Sequence, residues 1–157
     1  MHIRLATAAD IAAIANLENE HYAAEGYPAA FLFQAYRQWP NLLWVAERTE
    51  ENGSNKAATN VCAYLLAAPG QQEGHIWIMS VLIAAQARGM RLGSALMQQA
   101  IKELRQRGAQ QLWLSVAPEN AAAIELYGKL GFQKQSYQAD YLGNGEHRDI
   151  LCLHVSA

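Results

Sequence analysis

The sequence predicts an α/β fold in a single domain, with a mixed, mostly antiparallel central sheet and helices on both of its faces. Strand-like and helical segments alternate in the order β-α-α-β-β-β-α-β-α-β-β. Some strands are joined by short turns, which produce antiparallel pairs, and others by helices long enough to cross the sheet. The chain has 157 residues, the length of one ordinary domain, so a single domain is expected over 1–157.

The first half of the chain is predicted to contain four strands and two helices. The strands are placed at 2–6, 42–47, 60–68 and 75–83, and the helices at 8–22 and 29–38. Thr7 is a typical N-cap for the first helix, and Pro40 ends the second because proline does not continue a helix. The stretch 48–58 is charged and contains an Asn-Gly pair, which predicts a hairpin turn or a loop.

The second half of the chain is predicted to contain two helices and three strands. The helices are placed at 92–107 and 118–131, and the strands at 112–116, 132–138 and 148–155. In the helix at 92–107, Leu96, Ala100 and Leu104 recur at helical spacing and form one apolar face. Asn120 is predicted to cap the following helix, and Gly131 is expected just past its end.

Composition and charge exclude several classes of protein. Hydrophobic residues make up 52% of the chain and charged residues 17%, so it is not an intrinsically disordered chain. The net charge of −2 indicates no general attraction to nucleic acid or to an anionic membrane. The two cysteines, Cys62 and Cys152, predict core thiols rather than a disulfide framework or a zinc cluster, and no metal site is expected. No targeting segment or membrane span is recognisable, so a cytoplasmic protein is expected.

The segment from Gln86 to Ser94 joins the apolar strand at 75–83 to the next helix. The start of a helix exposes unpaired N–H groups and the positive end of the helix dipole, and glycines let a ligand approach the backbone. Residues 86–108 contain five basic residues and one acidic residue. These features are typical of a phosphate site, although an ordinary tight turn before a basic helix has the same pattern. The sequence patterns of nucleotide-hydrolase phosphate loops and of dinucleotide-binding turns are both missing here.

Two segments together resemble the GNAT (Gcn5-related N-acetyltransferase) superfamily. The first, at 86–96, resembles its pyrophosphate loop, Q/R-x-x-G-x-G/A, with Arg88 at the first position and Gly93 at the last. Arg91 stands at the position of the middle glycine, a departure that costs backbone freedom and adds a cation. The second, at 120–132, resembles N-x-x-A-x-x-L/F-Y-x-K/R-x-G-F at every fixed position. The resemblance covers almost the whole chain and implies a GNAT-like fold.

This resemblance implies acetyl-CoA as the co-substrate and assigns residues to it. The main chain of Val81, Leu82 and Ile83 would pair with the pantetheine arm as an added strand does. The turn that would hold the pyrophosphate comprises Arg88, Gly89, Met90, Arg91, Leu92, Gly93 and Ser94. Asn120 would contact pantetheine, and Tyr127 would bind the cofactor and donate a proton to the departing thiolate. A phenol of pKa about 10 can protonate a thiolate whose acid has a pKa of about 8.5.

The region of the first helix would form the acceptor side in the family. Glu18, His21, Tyr22 and Glu25 follow the spacing i, i+3, i+4, i+7 and are expected to share one helical face. Residues 1–60 contain seven acidic and four basic residues. A site lined by carboxylates would attract a cationic amine, although a solvated polar face has the same pattern.

Further segments point to different acceptors. Tyr141 begins a segment, 141–149, that looks like the final hairpin of protein N-terminal acetyltransferases, in which tyrosines flank the peptide. The segments 25–28 and 42–47, together with Tyr36 and Arg37 between them, instead resemble the small-amine branch of the superfamily. His75 is a candidate for the base that deprotonates the amine, and a partly exposed imidazole at a strand end is the alternative. No residue is singled out as the base.

The sequence therefore predicts an N-acetyltransferase that transfers the acetyl group directly within a ternary complex. The expected acceptor is a small-molecule primary amine, and the alternative is a protein or peptide amine. A non-catalytic acyl-CoA-binding module is a second alternative, because Arg91 departs from the pattern and the base is unassigned. Neither nucleic acid nor a membrane is expected as a partner, and a homodimer is left open.

Overall fold

The computed structural model describes residues 1–48 and 60–155 of the chain. The helices are α1 (Ile11–Tyr22), α2 (Ala29–Gln38), α3 (Leu92–Gln106) and α4 (Ala121–Lys129). The strands are β1 (His2–Leu5), β2 (Leu43–Glu47), β3 (Val61–Pro69), β4 (His75–Ile83), β5 (Gln111–Val116), β6 (Gln133–Gln138) and β7 (Arg148–His154). Their order confirms the predicted one. The turn predicted at 48–58 falls, apart from Arg48, outside the described residues and stays a prediction.

The seven strands form one sheet in the order β1-β2-β3-β4-β5-β7-β6. Strands β4 and β5 run parallel, with Ile76 opposite Leu112 and Trp77 opposite Trp113. The pairs β1–β2, β2–β3, β5–β7 and β6–β7 are antiparallel. The predicted mixed, mostly antiparallel sheet is therefore confirmed. The parallel pair follows from the helix α3, since a parallel connection needs a crossover longer than a hairpin turn.

The chain divides into two compact units. The first comprises residues 1–66 and 80–99, and the second comprises 67–79 and 100–157. A single functional domain over 1–157 stays a prediction.

Each unit has its own buried apolar residues. In the first unit, the largest fully buried side chains include Trp44, Tyr64, Ile14, Leu32, Leu96 and Met97. In the second, they include Leu104, Leu112 and Leu114. The free thiols of Cys62 and Cys152 are buried in the first and second unit respectively, which confirms that both are core residues. Burial raises the pKa of both thiols above the ordinary value.

Candidate functional site

The main chain at the end of β4 leads directly into the predicted phosphate-binding turn, and both lie in the first unit. Leu82 is buried, whereas Val81 and Ile83 are half-buried. Just after the strand, the Ala84 N–H donates a 2.8 Å hydrogen bond to the Cys62 carbonyl oxygen, so the exit of β4 is held against β3. The side chain of Leu82 thus belongs to the core, and only main-chain atoms of 81–83 fit the predicted role in binding pantetheine.

The turn between β4 and α3 requires left-handed backbone at two positions. Gly89 has a φ of +78°, and Arg91 has a φ of +55°. A β-carbon added at Gly89 would meet no atom within 4 Å, so the glycine serves backbone conformation rather than close packing. From Arg88 to Arg91 the residues are exposed, whereas Leu92 is buried as α3 begins. An exposed turn therefore leads into a helix whose first N–H groups have no intrahelical acceptor.

The backbone conformation of Arg91 confirms that replacing the glycine of the family pattern has a conformational cost. Its φ lies in the region that glycine adopts freely, and for other residues this region costs roughly 1–2 kcal/mol. The replacement nevertheless leaves the turn intact, since α3 begins at the next residue. The exposed guanidinium adds a positive charge at the helix start, where the helix dipole is also positive.

A small cleft, open to solvent, lies in the first unit beside this turn. One wall consists of Leu17, Glu20 and His21 of α1, and the other of Leu82, Ile83, Ala84, Ala85 and Arg88. The Arg88 guanidinium lies 3.0 Å from the His21 imidazole Nδ1. The cleft thus combines apolar walls with one carboxylate, and it adjoins the main chain predicted to bind the cofactor.

The prediction that Glu18, His21, Tyr22 and Glu25 share one face of the first helix is wrong. The helix α1 ends at Tyr22, and Ala23 has a φ of +52°, which turns the chain away from the helix axis. Glu25 lies in a separate 3₁₀ turn, Ala23–Glu25. The spacing rule that grouped these residues assumed a continuous helix, and the left-handed residue interrupts it.

The four acceptor-side residues therefore separate into two groups. His21, Tyr22 and Glu25 are exposed, and the rings of His21 and Tyr22 meet edge to face at 4.4 Å. Glu18, by contrast, is only 2% exposed. Its Oε2 accepts a 2.8 Å hydrogen bond from the Tyr27 N–H, and its Oε1 accepts one from the Tyr64 hydroxyl. Because both oxygens are engaged inside the protein, this geometry argues against a direct contact between Glu18 and an acceptor.

Tyr64 and Ser80 extend the contacts of Glu18, and sequence reasoning did not single out either residue. The Tyr64 hydroxyl lies 2.9 Å from Ser80 Oγ on β4. Burial, followed by the hydrogen bond to Glu18, raises the pKa of Tyr64 far above its ordinary value. The signal available in the sequence is a tyrosine inside the apolar run of β3, since a buried tyrosine hydroxyl requires a partner.

The second sequence motif, at 120–132, forms both ends of α4 in the second unit. At the start, Asn120 Oδ1 accepts a 3.1 Å hydrogen bond from the Ala123 N–H, which confirms the predicted cap. At the end, the Gly131 N–H donates to the Gly128 carbonyl and the Phe132 N–H donates to the Tyr127 carbonyl. This pair of bonds, with Gly131 at a φ of +93°, is a Schellman motif.

Tyr127 is half-buried and is fixed by this helix end. Its ring packs against Phe132 at a centroid distance of 5.8 Å, the hydrophobic contact that often accompanies a Schellman motif. The final G-F of the motif therefore has a structural role, which is to lock the position of Tyr127. The assignment of Tyr127 as a proton donor stays a prediction.

The remaining candidates also lie in the second unit. His75 is half-buried at the start of β4, with its ring 6.1 Å from that of Trp113, and Trp113 in turn stacks on Trp77 at 5.7 Å. Tyr141 is 44% exposed in the loop between β6 and β7. This loop is ordered by the Gly145 N–H, which donates a 2.7 Å hydrogen bond to the Asp140 carboxylate. The roles predicted for His75 and Tyr141 stay predictions.

Metal clusters and membrane spans are both missing from the part of the chain that the structure describes. Among residues 1–48 and 60–155, no three histidine, cysteine, aspartate or glutamate side chains are grouped so that they could hold a metal ion. Within the same ranges, no helix is long and apolar enough to cross a membrane.

Comparison with known proteins gives a family match and several relatives. The model of the acetyltransferase (GNAT) family matches residues 9–132. A [ribosomal protein bS18]-alanine N-acetyltransferase of Escherichia coli K12 is 41% identical over 68 residues, which are 41% of this chain and 46% of that protein. An N-alpha-acetyltransferase of Sulfurisphaera tokodaii is 31% identical over 81 residues, which are 51% of this chain and 47% of that protein. The chain thus spans about half the length of these relatives.

Solved structures resemble the chain over nearly its full length. Ard1 from Thermoplasma volcanium has a TM-score of 0.83 at 21% identity and covers 99% of this chain and 98% of its own. The yncA protein of Salmonella typhimurium, solved with acetyl-CoA, has a TM-score of 0.80 at 22% identity, with coverage of 100% and 95%. At these identities the likeness establishes the fold, which is the α/β fold predicted from the sequence.

Proposed function

We propose, from the premise that the chain belongs to the acetyltransferase (GNAT) family, that it transfers the acetyl group of acetyl-CoA to a primary amine. The observation that carries the proposal is that one family match, over 9–132, includes both the turn at 88–94 and the helix that bears Tyr127. The coenzyme is supported further by the similar fold of yncA, which was solved with acetyl-CoA.

The turn supplies the chemistry needed to hold a diphosphate. Left-handed backbone at Gly89 and Arg91 brings the chain into the start of α3, where N–H groups and the helix dipole favour an anion. Arg88 and Arg91 are exposed cations on the same turn. The main chain of 81–83 would pair with the pantetheine arm in the manner of an added strand.

Arg88→Ala is expected to weaken the binding of coenzyme A about five- to tenfold, since an exposed charge near a phosphate contributes on the order of 1 kcal/mol. Calorimetry with coenzyme A at low and high salt measures the effect, which should shrink as salt screens the charges. Pantetheine, which lacks the diphosphate, should bind both proteins equally. Arg37→Ala is the matched control, because Arg37 is an exposed cation of the same unit that lies over the Phe33 ring in α2. Equal losses from both variants would contradict the assignment.

The reaction that we propose is direct transfer. A neutral amine nitrogen attacks the thioester carbonyl carbon, the carbon–sulfur bond breaks, and the sulfur leaves as a thiolate that takes a proton from the Tyr127 hydroxyl. The nitrogen loses one proton to become the amide, and solvent returns a proton to the Tyr127 phenolate. A route through an acetylated cysteine is disfavoured, since both thiols are buried and their raised pKa values leave little of the reactive thiolate form.

The acceptor that the cleft supports best is a small primary amine. The apolar side chains of Ile83 and Ala85, which are half-buried and exposed respectively, would contact its carbon atoms, and the Glu20 carboxylate would attract its ammonium form. An amine of pKa about 10.4 is almost entirely protonated at pH 7, so it must lose a proton before attack. His75 is kept as a candidate for that base.

A polypeptide amine is the second candidate, and two observations favour it. The relatives from Escherichia coli and Sulfurisphaera tokodaii are named as alanine and N-alpha acetyltransferases. In addition, Tyr137, Tyr141 and Leu142 at the β6–β7 hairpin are between 44% and 61% exposed, and such apolar groups can flank an extended peptide.

A side-by-side assay tests the proposal. Purified protein, acetyl-CoA and either a panel of small amines or a panel of short peptides with free N-termini are followed by release of coenzyme A thiol. Amine-dependent thiol release is the expected result. Release confined to peptides would remove the small-amine proposal, and binding of acetyl-CoA without any amine-dependent release would identify a non-catalytic binding module.

A further inference from the structure

Glu18, Tyr64 and Ser80 form a hydrogen-bonded chain across three elements of the first unit, in which Glu18 and Tyr64 are buried and Ser80 is half-buried. The Glu18 carboxylate on α1 accepts from the Tyr64 hydroxyl on β3, and that hydroxyl lies 2.9 Å from Ser80 Oγ on β4. Tyr64 is completely buried, and Glu18 is 2% exposed. We call this set the Glu18 chain.

The direction of the hydrogen bonds follows from the number of protons. Tyr64 has one hydroxyl proton, and the acceptor-only carboxylate of Glu18 requires it. Ser80 must therefore donate its own proton to the Tyr64 oxygen. With these donors and acceptors, each hydroxyl group has one defined orientation. The hydrogen bonds also connect β4 to α1 through β3.

A buried carboxylate of this kind is costly unless each oxygen is satisfied. Asp10, an acidic residue buried at the start of α1, is paired with Arg4. By contrast, among the described residues no lysine, arginine or histidine nitrogen forms an ion pair with Glu18. An apolar residue would fill this position at lower cost, so the arrangement calls for a reason other than stability.

The position of the Glu18 chain suggests that reason. Glu18 lies between Leu17 and Glu20 on the α1 wall of the cleft, and Ser80 lies two residues before Leu82 on the opposite wall. The Glu18 chain therefore connects the two walls and limits how far they can separate.

The same carboxylate also holds the segment that follows α1. Its Oε2 accepts from the Tyr27 N–H at 2.8 Å. At Gly26 a β-carbon would lie 2.8 Å from the Glu18 carbonyl oxygen, so this segment is pressed directly against the helix. The exposed residue Glu25 is placed by this close contact, because it immediately precedes Gly26.

We propose that Glu18 is a positioning residue for the acceptor amine: together with Tyr64 and Ser80 it holds both walls of the cleft and the segment at 23–27 in the geometry that binds the amine. This role rests on the proposed function of the cleft as the acceptor site. Glu18 itself does not contact the amine.

Steady-state kinetics with Glu18→Ala, Glu18→Gln and Tyr64→Phe test the role. Glu18→Ala removes the hydrogen bonds to both Tyr27 and Tyr64. It is expected to raise the KM for the amine about tenfold, which matches the loss of hydrogen bonds to a charged group. Tyr64→Phe removes the hydrogen-bonded connection to Ser80 but keeps the hydrogen bond between Glu18 and Tyr27, so the KM for the amine is expected to rise about threefold. The KM for acetyl-CoA should rise less than the KM for the amine in all three variants, because the turn from Gly89 to Ser94 makes none of these hydrogen bonds.

Glu18→Gln separates positioning from charge. A glutamine oxygen can accept from the Tyr27 N–H, and its amide nitrogen can donate to the Tyr64 oxygen, which then donates to Ser80. If Glu18 acts by positioning, the KM of Glu18→Gln for the amine should be close to that of the wild-type protein. A glutamine variant as impaired as the alanine variant would show that the charge itself attracts the amine, and it would overturn the proposal.

Two controls complete the experiment. Asp10→Asn removes another buried carboxylate of the same unit and is expected to lower stability without changing the KM for the amine. Hydrogen exchange of the Tyr27 amide gives a readout that needs no activity: protection should be lost in Glu18→Ala and kept in Glu18→Gln. Unchanged protection or unchanged KM in Glu18→Ala overturns the positioning role, whereas a wild-type protein without any amine-dependent thiol release overturns the proposed function instead.

Discussion

Replacing Tyr127 with phenylalanine is expected to lower kcat about a hundredfold to a thousandfold, the usual contribution of a positioned general acid. The substitution removes only the hydroxyl, so the ring contact with Phe132 and the hydrogen bonds that end α4 stay in place. The KM for acetyl-CoA should change little, because the loss falls on departure of the thiolate. Initial rates of thiol release at saturating amine and acetyl-CoA measure the effect.

The pH dependence of the same variant gives an independent reading. A phenol of pKa about 10 is an effective proton donor only below that pH, so the wild-type rate should fall at high pH, and this fall should be absent in Tyr127→Phe. Tyr36→Phe is the matched control, since Tyr36 is a half-buried tyrosine of α2 with no proposed role in transfer. If kcat of Tyr127→Phe stays within about twofold of wild type across pH, Tyr127 is not the general acid.

Replacing Asp10 with asparagine is expected to lower the free energy of unfolding by about 3 kcal/mol at pH 7, because it removes the buried carboxylate that pairs with Arg4 and leaves Arg4 only the partly exposed Glu47. The Asp10 side chain is inaccessible to solvent. It accepts hydrogen bonds from both terminal nitrogens of Arg4, at 2.8 and 3.0 Å, and from the backbone N–H and hydroxyl of Thr7, at 2.7 and 2.9 Å. Urea unfolding followed by circular dichroism measures the loss.

The sign of the pH dependence follows from the pKa of Asp10. Burial alone would raise it, but the hydrogen bonds from Arg4 and Thr7 outweigh burial and hold the pKa below its ordinary value. A carboxyl group with a lowered folded-state pKa stabilises the protein above its unfolded pKa of about 3.9, and the contribution is lost as the pH falls through the folded value. The difference between wild type and Asp10→Asn should therefore be full at pH 6–7 and shrink below about pH 4.

Glu47→Gln is the control for this measurement. Glu47 shares Arg4 with Asp10 through a 2.8 Å hydrogen bond, which lowers the pKa of Glu47, but its side chain is 25% exposed. A smaller loss, of about 1 kcal/mol, is expected because solvent screens the pair. A loss from Asp10→Asn that is equal at neutral and acid pH would show that ionisation of Asp10 does not stabilise the Arg4–Asp10 pair.

The elements of this fold could be predicted closely wherever local signals mark both ends. The helix α2 and the strand β4 occupy the predicted residues, 29–38 and 75–83. Proline near each end delimits α2, and an unbroken apolar run delimits β4. The cap at Asn120 and the left-handed Gly131 were equally predictable, because each depends on residues within a few positions along the chain.

Part of the candidate site was predictable for the same reason. The turn before α3 and the sequence pattern around Tyr127 are contiguous, so their residues can be recognised by reading along the chain. The end of α1 at Tyr22 was predicted, but the course of the chain after it cannot be recognised in this way. Ala23 adopts a left-handed conformation although alanine has no preference for it, so the spacing of Glu18 and Glu25 gave a false helical face.

The sequence by itself therefore determined the order of helices and strands, the apolar faces of the helices and the two local motifs. Each of these depends on interactions between residues that are close along the chain. Only the folded structure showed that Glu18 is buried against Tyr64 and Ser80, which are 46 and 62 positions away along the chain. The environment of a carboxylate depends on which distant groups surround it, and periodicity within one helix contains no information about them. For this reason helical spacing predicts Glu18 on an exposed helical face, whereas its contacts with Tyr27 and Tyr64 bury it.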